Sequence, residues 1–386
     1  MPGPHESSHH PSADRPATGP ASGDAPRTVR RRSILALPGA LALGAVLASA
    51  PPAAAGGSRG PRPSAATRIV VAADGSGDAT TLQQAVDLAP SGSPDRVEIL
   101  VRAGRYHGRV DIGSDKVNLT VVGETGDPED VLITDDRAAG TPKPGGGTWG
   151  TTGSASVTVS GAGFEARHVT FENAFDEAAH ADLSGHQAVA VKTRADRVVF
   201  EHCRFLGNQD TLYLDTPSAD VPSRVYVTNS WIEGDVDFIF GRATAVIEDS
   251  RIKALRRDST PSGYVFAPST SSGFAHGFLV TGTRFLTNAG TGTYYLGRPW
   301  HPSSNPDTDP RVVVRDSWLG VHLQRDDVWT TMSGFDWVPG SNGEHANTGP
   351  GALTGPGRPQ LSAAQAAAHT RETYLSGDDG WAPYAR

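Results

Sequence analysis

Hydrophobic and polar residues alternate along this chain in a block that is repeated. Each copy contains a strand pattern of period two, then a bend with a small residue, then a further apolar position. The copies begin roughly 20 to 34 residues apart. They cover residues 198–205, 225–232, 245–252, 278–285 and 312–319, with a looser match at 164–171. Such a repeat is typical of a solenoid, in which each turn buries its apolar face only against its neighbours.

The repeat predicts an all-β fold, a right-handed single-stranded parallel β-helix (solenoid) with helical end caps. Helical periodicity is scarce, turn residues are abundant, and the copies are shorter than the roughly 40 residues that a propeller blade needs. The small residue of the bend is the same inward position in each copy. It is occupied by Cys203, Ser230, Ser250, Thr283 and Ser317. The single cysteine is therefore predicted to be a packed core residue, and it leaves no internal disulfide possible.

Two segments carry the helical pattern expected of end caps. In residues 80–89, four apolar residues fall on one helical face before a proline, which predicts a helix over the N-terminal end. Residues 362–375 are rich in alanine and predict a helix near the other end or along the side. The stretches 141–150 and 301–310 are rich in Pro and Gly and predict long loops, which on a solenoid commonly build the binding cleft.

The start of the chain has the composition of an export leader. Residues 1–26 are rich in Pro, His, Ser and Gly and cannot build a core. An arginine pair followed by Ser33 and a short apolar run at 36–50 resembles a twin-arginine signal, with cleavage near Ala55. We therefore interpret residues 1–55 as leader and signal, 56–67 as a flexible linker and 68–386 as the β-helix domain. The apolar run is too short to span a membrane comfortably, so we expect a secreted mature protein with no membrane contact.

Composition excludes several classes of function. The net charge of −8 at pH 7 gives no support for nucleic-acid binding. No His or Cys spacing suits a metal, and we expect neither a metal nor a cofactor. The part after the leader, about 320 residues, is enough for one large domain with a sizeable core. We expect it to be a monomer.

Three blocks within about ninety residues carry the candidate chemistry, at 207–212 (GNQDTL), 235–241 (DVDFIFG) and 296–300 (LGRPW). Asp237 stands among apolar and aromatic residues, where a charge is costly unless something pairs with it. Together with Asp210 and Arg298 it indicates a buried site in which one carboxylate attacks and the other handles protons. Gln187, Asp210 and Asp237 are each about one repeat apart. Gln187, the Gln209–Asp210 pair and Asp237 should therefore stack on successive coils, about 4.7 to 4.9 Å apart.

These blocks, with a fourth at 187–191 (QAVAV), resemble the pectin methylesterase (pectinesterase) family from about residue 69 to the C-terminal region. The order of D-x-D-F-I-F-G and G-R-P-W is highly specific. The resemblance implies removal of methyl esters from galacturonate units of pectin, with release of methanol. It also implies that Asp237 is the nucleophile, forming an acyl-enzyme anhydride, and that Asp210 is the acid/base. Asn208 and Gly108 depart from the family pattern, outside this catalytic set.

Arg298 is expected to keep Asp237 ionised, which leaves Asp210 with the raised pKa. Gln187 and Gln209 would supply amide donors to the developing oxyanion, and Trp300 a flat face for a sugar ring. Further residues are weaker candidates for substrate binding. They are Tyr213, Phe240, Arg257, Tyr264, Thr151 and Thr152.

Three other classes compete with an esterase. A pectate or pectin lyase can share the β-helix and the substrate, but it needs a Ca²⁺ site of clustered carboxylates and a basic residue. An inverting glycoside hydrolase also uses two acids, yet it leaves the glutamines and the arginine without a role. A non-catalytic adhesin would keep the repeat without the acid pair. The negative net charge does not help to attract a polyanion, which favours partly methylated pectin as the ligand.

Overall fold

The computed structural model describes residues 67–304, 307–338 and 340–385 of the chain. Within these residues the chain winds into a right-handed parallel β-helix whose coils contribute strands to three parallel sheets. The predicted all-β solenoid is thereby confirmed. The leader and export signal predicted for residues 1–55, and residues 56–66 of the linker predicted for 56–67, lie outside the described residues, whereas Thr67 begins the first strand.

Each sheet is a stack of short strands, one from each coil that reaches it. The first sheet contains Thr67–Val71, Val97–Val101, Leu119–Gly123, Glu165–Arg167, Val198–Glu201, Arg224–Thr228, Thr244–Glu248, Phe278–Thr281, Val312–Arg315 and Asn342–His345. The second contains Gly104–His107, Val131–Asp135, Thr170–Asn173, Arg204–Leu206, Trp231–Gly234, Arg251–Ala254, Arg284–Thr287 and Trp318–Leu319. The third contains Val110–Ile112, Val157–Val159, Val191–Thr193, Leu212–Leu214, Val236–Gly241, Gly263–Pro268 and Tyr294–Gly297.

The core lies between the three sheets and is filled by rows of stacked apolar side chains. Phe200, Val227, Ile247 and Val280 occupy equivalent positions in four successive strands of the first sheet, and all are buried. Burying one such side chain stabilises the fold by about 1.5 to 3 kcal/mol. Because each row is completed only by the coils above and below, no coil is stable alone.

The bend between the first two sheets explains the small residue in each repeat. Asn229 and Asp249 adopt φ values of 49°, in the left-handed region that Asn and Asp tolerate better than most residues. The next residue turns inward. The Cys203 N–H donates to the Ser230 hydroxyl, and the Ser230 N–H donates to the Ser250 hydroxyl, which satisfies buried backbone donors between coils. Cys203 lies in this column, and burial raises the pKa of its thiol to about 12, which suits packing and not nucleophilic attack.

The predicted N-terminal cap is present as the helix Leu82–Leu88. Thr81 caps it, because its side chain accepts from the Gln84 N–H while the Gln84 side chain accepts from the Thr81 N–H. The predicted apolar face is buried against strands at the start of the solenoid. Two further short helical segments occur before the middle of the chain, Pro128–Asp130 and Gly150–Gly153.

The C-terminal segment differs from the single helix that its alanine content predicted. It forms two short helices, Ala363–Ala366 and Arg371–Leu375. The break occurs because Thr370 is extended, with φ of −121°, and its hydroxyl accepts from the Thr373 N–H to cap a new helix. Tyr374 and Leu375 pack on outward-facing residues of the first sheet, so the segment lies along the side of the solenoid. No helix in the described ranges is long and apolar enough to cross a membrane.

The two predicted loops differ in how much of them is described. Residues 141–149 are irregular and lead into Gly150–Gly153. Residues 301–310 include a short turn at Pro302–Ser304, while residues 305 and 306 lie outside the described ranges.

Candidate active site

Asp237 lies where the strand Val236–Gly241 is irregular. Its φ is 50°, and the pairing with Gly263–Pro268 shifts between Val236 and Ile239. The bulge lets Phe238 enter the core while Asp237 faces a surface cavity. A left-handed backbone at a residue other than glycine costs on the order of 1 to 3 kcal/mol and is common at functional sites.

Asp210 lies on the preceding coil, in a second left-handed conformation with φ of 69°. Its N–H donates to the Val236 carbonyl at 2.9 Å, and the Ala188 N–H donates to the Gln209 carbonyl at 3.0 Å. Backbone pairing therefore brings the segments around Gln187, Gln209–Asp210 and Asp237 together on successive coils. This is the stacking that their sequence spacing predicted.

Arg298 binds Asp237 through two parallel hydrogen bonds. Its Nε donates to Oδ1 at 2.8 Å and its Nη2 donates to Oδ2 at 2.7 Å. The guanidinium carbon lies 3.6 Å from the centroid of the Tyr264 ring, so the arginine is held on its second side by an aromatic face. Bidentate pairing combines charge with a fixed geometry that a lysine could not provide.

The two acids differ in how strongly they hold a proton. Burial, followed by the charge of Asp237, raises the pKa of Asp210 well above its ordinary value. Burial also raises the pKa of Asp237, as its apolar neighbours in the sequence predicted, but the hydrogen bonds and charge of Arg298 oppose that rise. Asp237 is therefore the acid that ionises first, and Asp210 is the one that keeps its proton.

These side chains share one cavity of about 290 Å³. It is lined by Thr151, Gln187, Gln209, Asp210, Asp237, Phe240, Ala267, Arg298, Trp300 and Met332. Eight of the twelve residues predicted from the sequence are among them. Met332 was missed, because it comes from an irregular segment beyond the last repeat and belongs to no motif.

Two of the predicted binding residues lie next to the residues that line the cavity and are not part of its lining. Tyr213 is buried, and its ring stacks on Phe240 with centroids 4.2 Å apart, while Trp300 meets both rings edge-on. Lys192 lies over the Tyr213 ring, with its Nζ 4.3 Å from the ring centroid. The same Nζ donates a hydrogen bond to the Thr152 hydroxyl. Tyr213 therefore packs against the aromatic surface and Thr152 binds the lysine above it, whereas the aromatic residues that line the cavity itself are Phe240 and Trp300.

Arg257 and Tyr264, the last two candidates, also lie outside the cavity lining. Tyr264 lies against Arg298, as described above. Arg257 extends between two carboxylates, those of Asp235 and Glu177. No sequence pattern predicts that contact, since Glu177 is 80 residues away from Arg257 in the chain.

The fold is a parallel β-helix, and its cavity holds an arginine-bound carboxylate beside a second carboxylate of raised pKa. These are features of a hydrolase that uses an aspartate nucleophile. The pectinesterase family model matches residues 68–378, and the chain belongs to this family. It is 35% identical to a pectinesterase of Ralstonia solanacearum, over 67% of this chain and 71% of that protein. Its fold is similar to the pectin methylesterase PemA from Erwinia chrysanthemi, with a TM-score of 0.73, 31% identity and 82% and 98% of the two chains covered. A pectin methylesterase solved with a hexasaccharide also has a TM-score of 0.73, with 30% identity and 83% and 100% covered.

Proposed function

We propose that Asp237 and Asp210 together hydrolyse the methyl esters of pectin. The protein is a carboxylic ester hydrolase that removes methyl groups from galacturonate units, as its family membership supports. In the first step an oxygen of ionised Asp237 attacks the ester carbonyl carbon. The bond from that carbon to the methoxy oxygen then breaks, Asp210 gives its proton to the departing oxygen, and methanol leaves behind an anhydride on Asp237.

The second step uses the same two acids in reverse roles. Asp210, now ionised, takes a proton from a water molecule as the water oxygen attacks the anhydride carbonyl. The bond to the Asp237 oxygen breaks, which restores the Asp237 carboxylate and the Arg298 ion pair. The product is a free galacturonate carboxyl, and Asp210 is protonated for the next turnover.

The remaining cavity residues have supporting roles in this proposal. The Gln187 and Gln209 amides donate to the carbonyl oxygen as it becomes negative. Trp300 and Phe240 present apolar surface to the sugar ring, with Thr151 and Met332 at the cavity wall. One observation carries the assignment of roles to the two acids. Arg298 donates its two parallel hydrogen bonds to Asp237 and not to Asp210. This difference supports Asp237 as the nucleophile and Asp210 as the proton donor.

Methanol release in the presence of excess chelator tests the reaction class. Arg298, Gln187 and Gln209 already supply the charge stabilisation that a lyase draws from Ca²⁺. Among the described residues, the one group of His and carboxylate side chains with the spacing of cation ligands lies outside the cavity, at His107, Asp135 and Asp136. We therefore expect an undiminished rate, a polymer of unchanged length and no unsaturated uronate absorbance.

A lyase would give a different set of readings in that experiment. Activity would fall with chelator and return with Ca²⁺, the polymer would shorten and ultraviolet absorbance would appear. Shortening without ultraviolet absorbance would instead indicate a glycoside hydrolase. Either result would contradict the esterase assignment.

We also propose that the protein is exported by the twin-arginine route as a monomer, with residues 68–386 forming the catalytic domain. The proposal rests on the arginine pair and short apolar run of the leader. Replacing Arg31 and Arg32 by lysine should therefore block most of the export, so that little of the protein reaches the medium. Immunoblots of medium and cells measure this. Arg30→Lys, outside the pair, is the matched control and should leave export unchanged. Equal export of both variants would contradict this route.

A further inference from the structure

Arg257 is held between two carboxylates beside the active-site cavity. Its Nε lies 3.5 Å from Asp235 Oδ2, and its Nη2 lies 3.6 Å from Glu177 Oε2. The Asp235 side chain is only 5% exposed, whereas those of Glu177 and Arg257 are 19% and 31% exposed. One cation therefore faces two anions, so this group of three residues, the Arg257 cluster, carries a net negative charge when both acids are ionised.

Asp235 joins the Arg257 cluster to the reacting acids. It precedes Asp237 by two residues, its N–H donates to the Asn208 carbonyl at 3.2 Å, and its carbonyl accepts from the Tyr264 N–H at 3.0 Å. These bonds fix it between the coil that carries Asp210 and the coil that carries Tyr264. The charge of Asp235 raises the pKa of Asp210, and the charge of Asp237 raises the pKa of Asp235. Because the Tyr264 ring lies against Arg298 of the cavity, the Arg257 cluster adjoins the cavity on this side, and a polymeric substrate that reaches beyond the cavity here would meet it.

We propose that Asp235, together with Glu177, is a specificity-determining residue that makes the Arg257 flank of the cleft accept methyl-esterified units and disfavour free galacturonate. This inference rests on the proposed function. A free carboxylate approaching Arg257 must displace a carboxylate that is already paired with it, and it meets a net negative charge. A methyl ester carries no charge, so it meets no such repulsion. Removing one of the two anions should then strengthen the binding of a de-esterified chain about tenfold, the scale of one unit charge acting a few ångströms away when solvent screens it strongly.

The selectivity should depend on pH because Asp235 titrates near neutrality. Burial raises its pKa to about 6, with the charge of Glu177 adding to the rise and that of Arg257 opposing it. The titratable groups that face Asp235 are Glu177, Arg257, Asp237, Asp210 and Tyr294. Below pH 6 Asp235 gains a proton, and the charge of the Arg257 cluster changes from −1 to zero. Free carboxylates should therefore bind more tightly as the pH falls through about 6.

Fully de-esterified polygalacturonate is the probe for this inference, since it carries carboxylates and offers no ester to cleave. Its binding is measured by calorimetry at pH 5 and pH 7.5, and as inhibition of methanol release from methylated pectin. We expect the wild-type protein to bind it about tenfold more tightly at pH 5. Asp235→Asn should bind it tightly at both pH values, because the titrating charge has been removed.

Three further variants make the test specific. Asp258→Asn removes a neighbouring but exposed carboxylate, which pairs with Arg256, and should bind as wild type does. Asp235→Asn combined with Arg257→Gln should bind weakly at both pH values, because the cation that captures the carboxylate is gone. Glu177→Gln should strengthen binding in the same direction as Asp235→Asn, which keeps the test valid if the buried substitution prevents folding, judged by circular dichroism.

The inference is overturned if folded Asp235→Asn and Glu177→Gln both keep the wild-type binding constant and its pH dependence. Failure of the proposed function would look different. The wild-type protein would then release no methanol from methylated pectin, whatever the calorimetry reported for polygalacturonate.

Discussion

Replacing Asp237 by asparagine is expected to lower kcat for methanol release on the order of 10⁴- to 10⁶-fold, the scale lost when a catalytic nucleophile is removed. An amide has nearly the shape of a carboxylate but cannot form the anhydride. Arg298 can still donate one hydrogen bond to the amide oxygen, so the strand Val236–Gly241 should keep its fold. Activity on methylated pectin and a circular dichroism spectrum together measure the two effects.

Asp249→Asn provides the matched control for this substitution. Asp249 has a left-handed backbone like that of Asp237, with φ of 49° against 50°, but it lies at a bend between the first and second sheets and outside the cavity. The same chemical change there should leave kcat within about twofold. If purified Asp237→Asn turned over pectin within tenfold of the wild-type rate, another residue would have to be the nucleophile.

The sequence predicted the solenoid because the fold is repetitive. A bend that needs a left-handed residue and then a small inward residue, as at Asn229 and Ser230, recurs in five copies of the repeat. The C-terminal segment is not part of the repeat, so its structure depended on local capping. The alanine content of residues 362–375 suggested one helix, whereas the hydroxyl of Thr370 starts a second one.

The catalytic set could be predicted because one coil separates its members along the chain. In a parallel solenoid, residues that are one coil apart in the sequence are neighbours in space. This is how Gln187, Asp210 and Asp237 come together. The outer residues follow no such rule. Met332 reaches the cavity from an irregular segment, and Glu177 reaches Arg257 across 80 residues.

Burial was also difficult to predict from the motifs. Tyr213 lies within a regular strand pattern and was expected to touch substrate, but the strand Leu212–Leu214 places its ring beside that of Phe240, where it is buried. A period-two pattern shows which residues share a face of a sheet. It does not show that a neighbouring side chain will cover one of them.

Arg298→Ala should shift the acidic limb of the kcat/KM profile upward by about 1 to 3 pH units, the range by which a paired cation lowers the pKa of a carboxyl. Arg298 opposes the rise that burial imposes on the pKa of Asp237. Without the arginine that pKa rises further, and more of Asp237 is protonated and unable to attack at any given acidic pH. The rate should also fall at the optimum, because the carboxylate loses the two bonds that orient it.

Arg298→Lys separates the charge from the geometry in this prediction. A lysine keeps a positive charge but cannot make the paired hydrogen bonds, so its acidic limb should lie between those of the wild type and the alanine variant. Arg256→Ala, which removes an exposed arginine paired with Asp258, should leave the profile in place, because an exposed ion pair is screened by solvent. If the acidic limb of Arg298→Ala stayed at the wild-type pH while kcat was merely scaled, Arg298 would hold the shape of the cavity and Asp237 would owe its ionisation to another group.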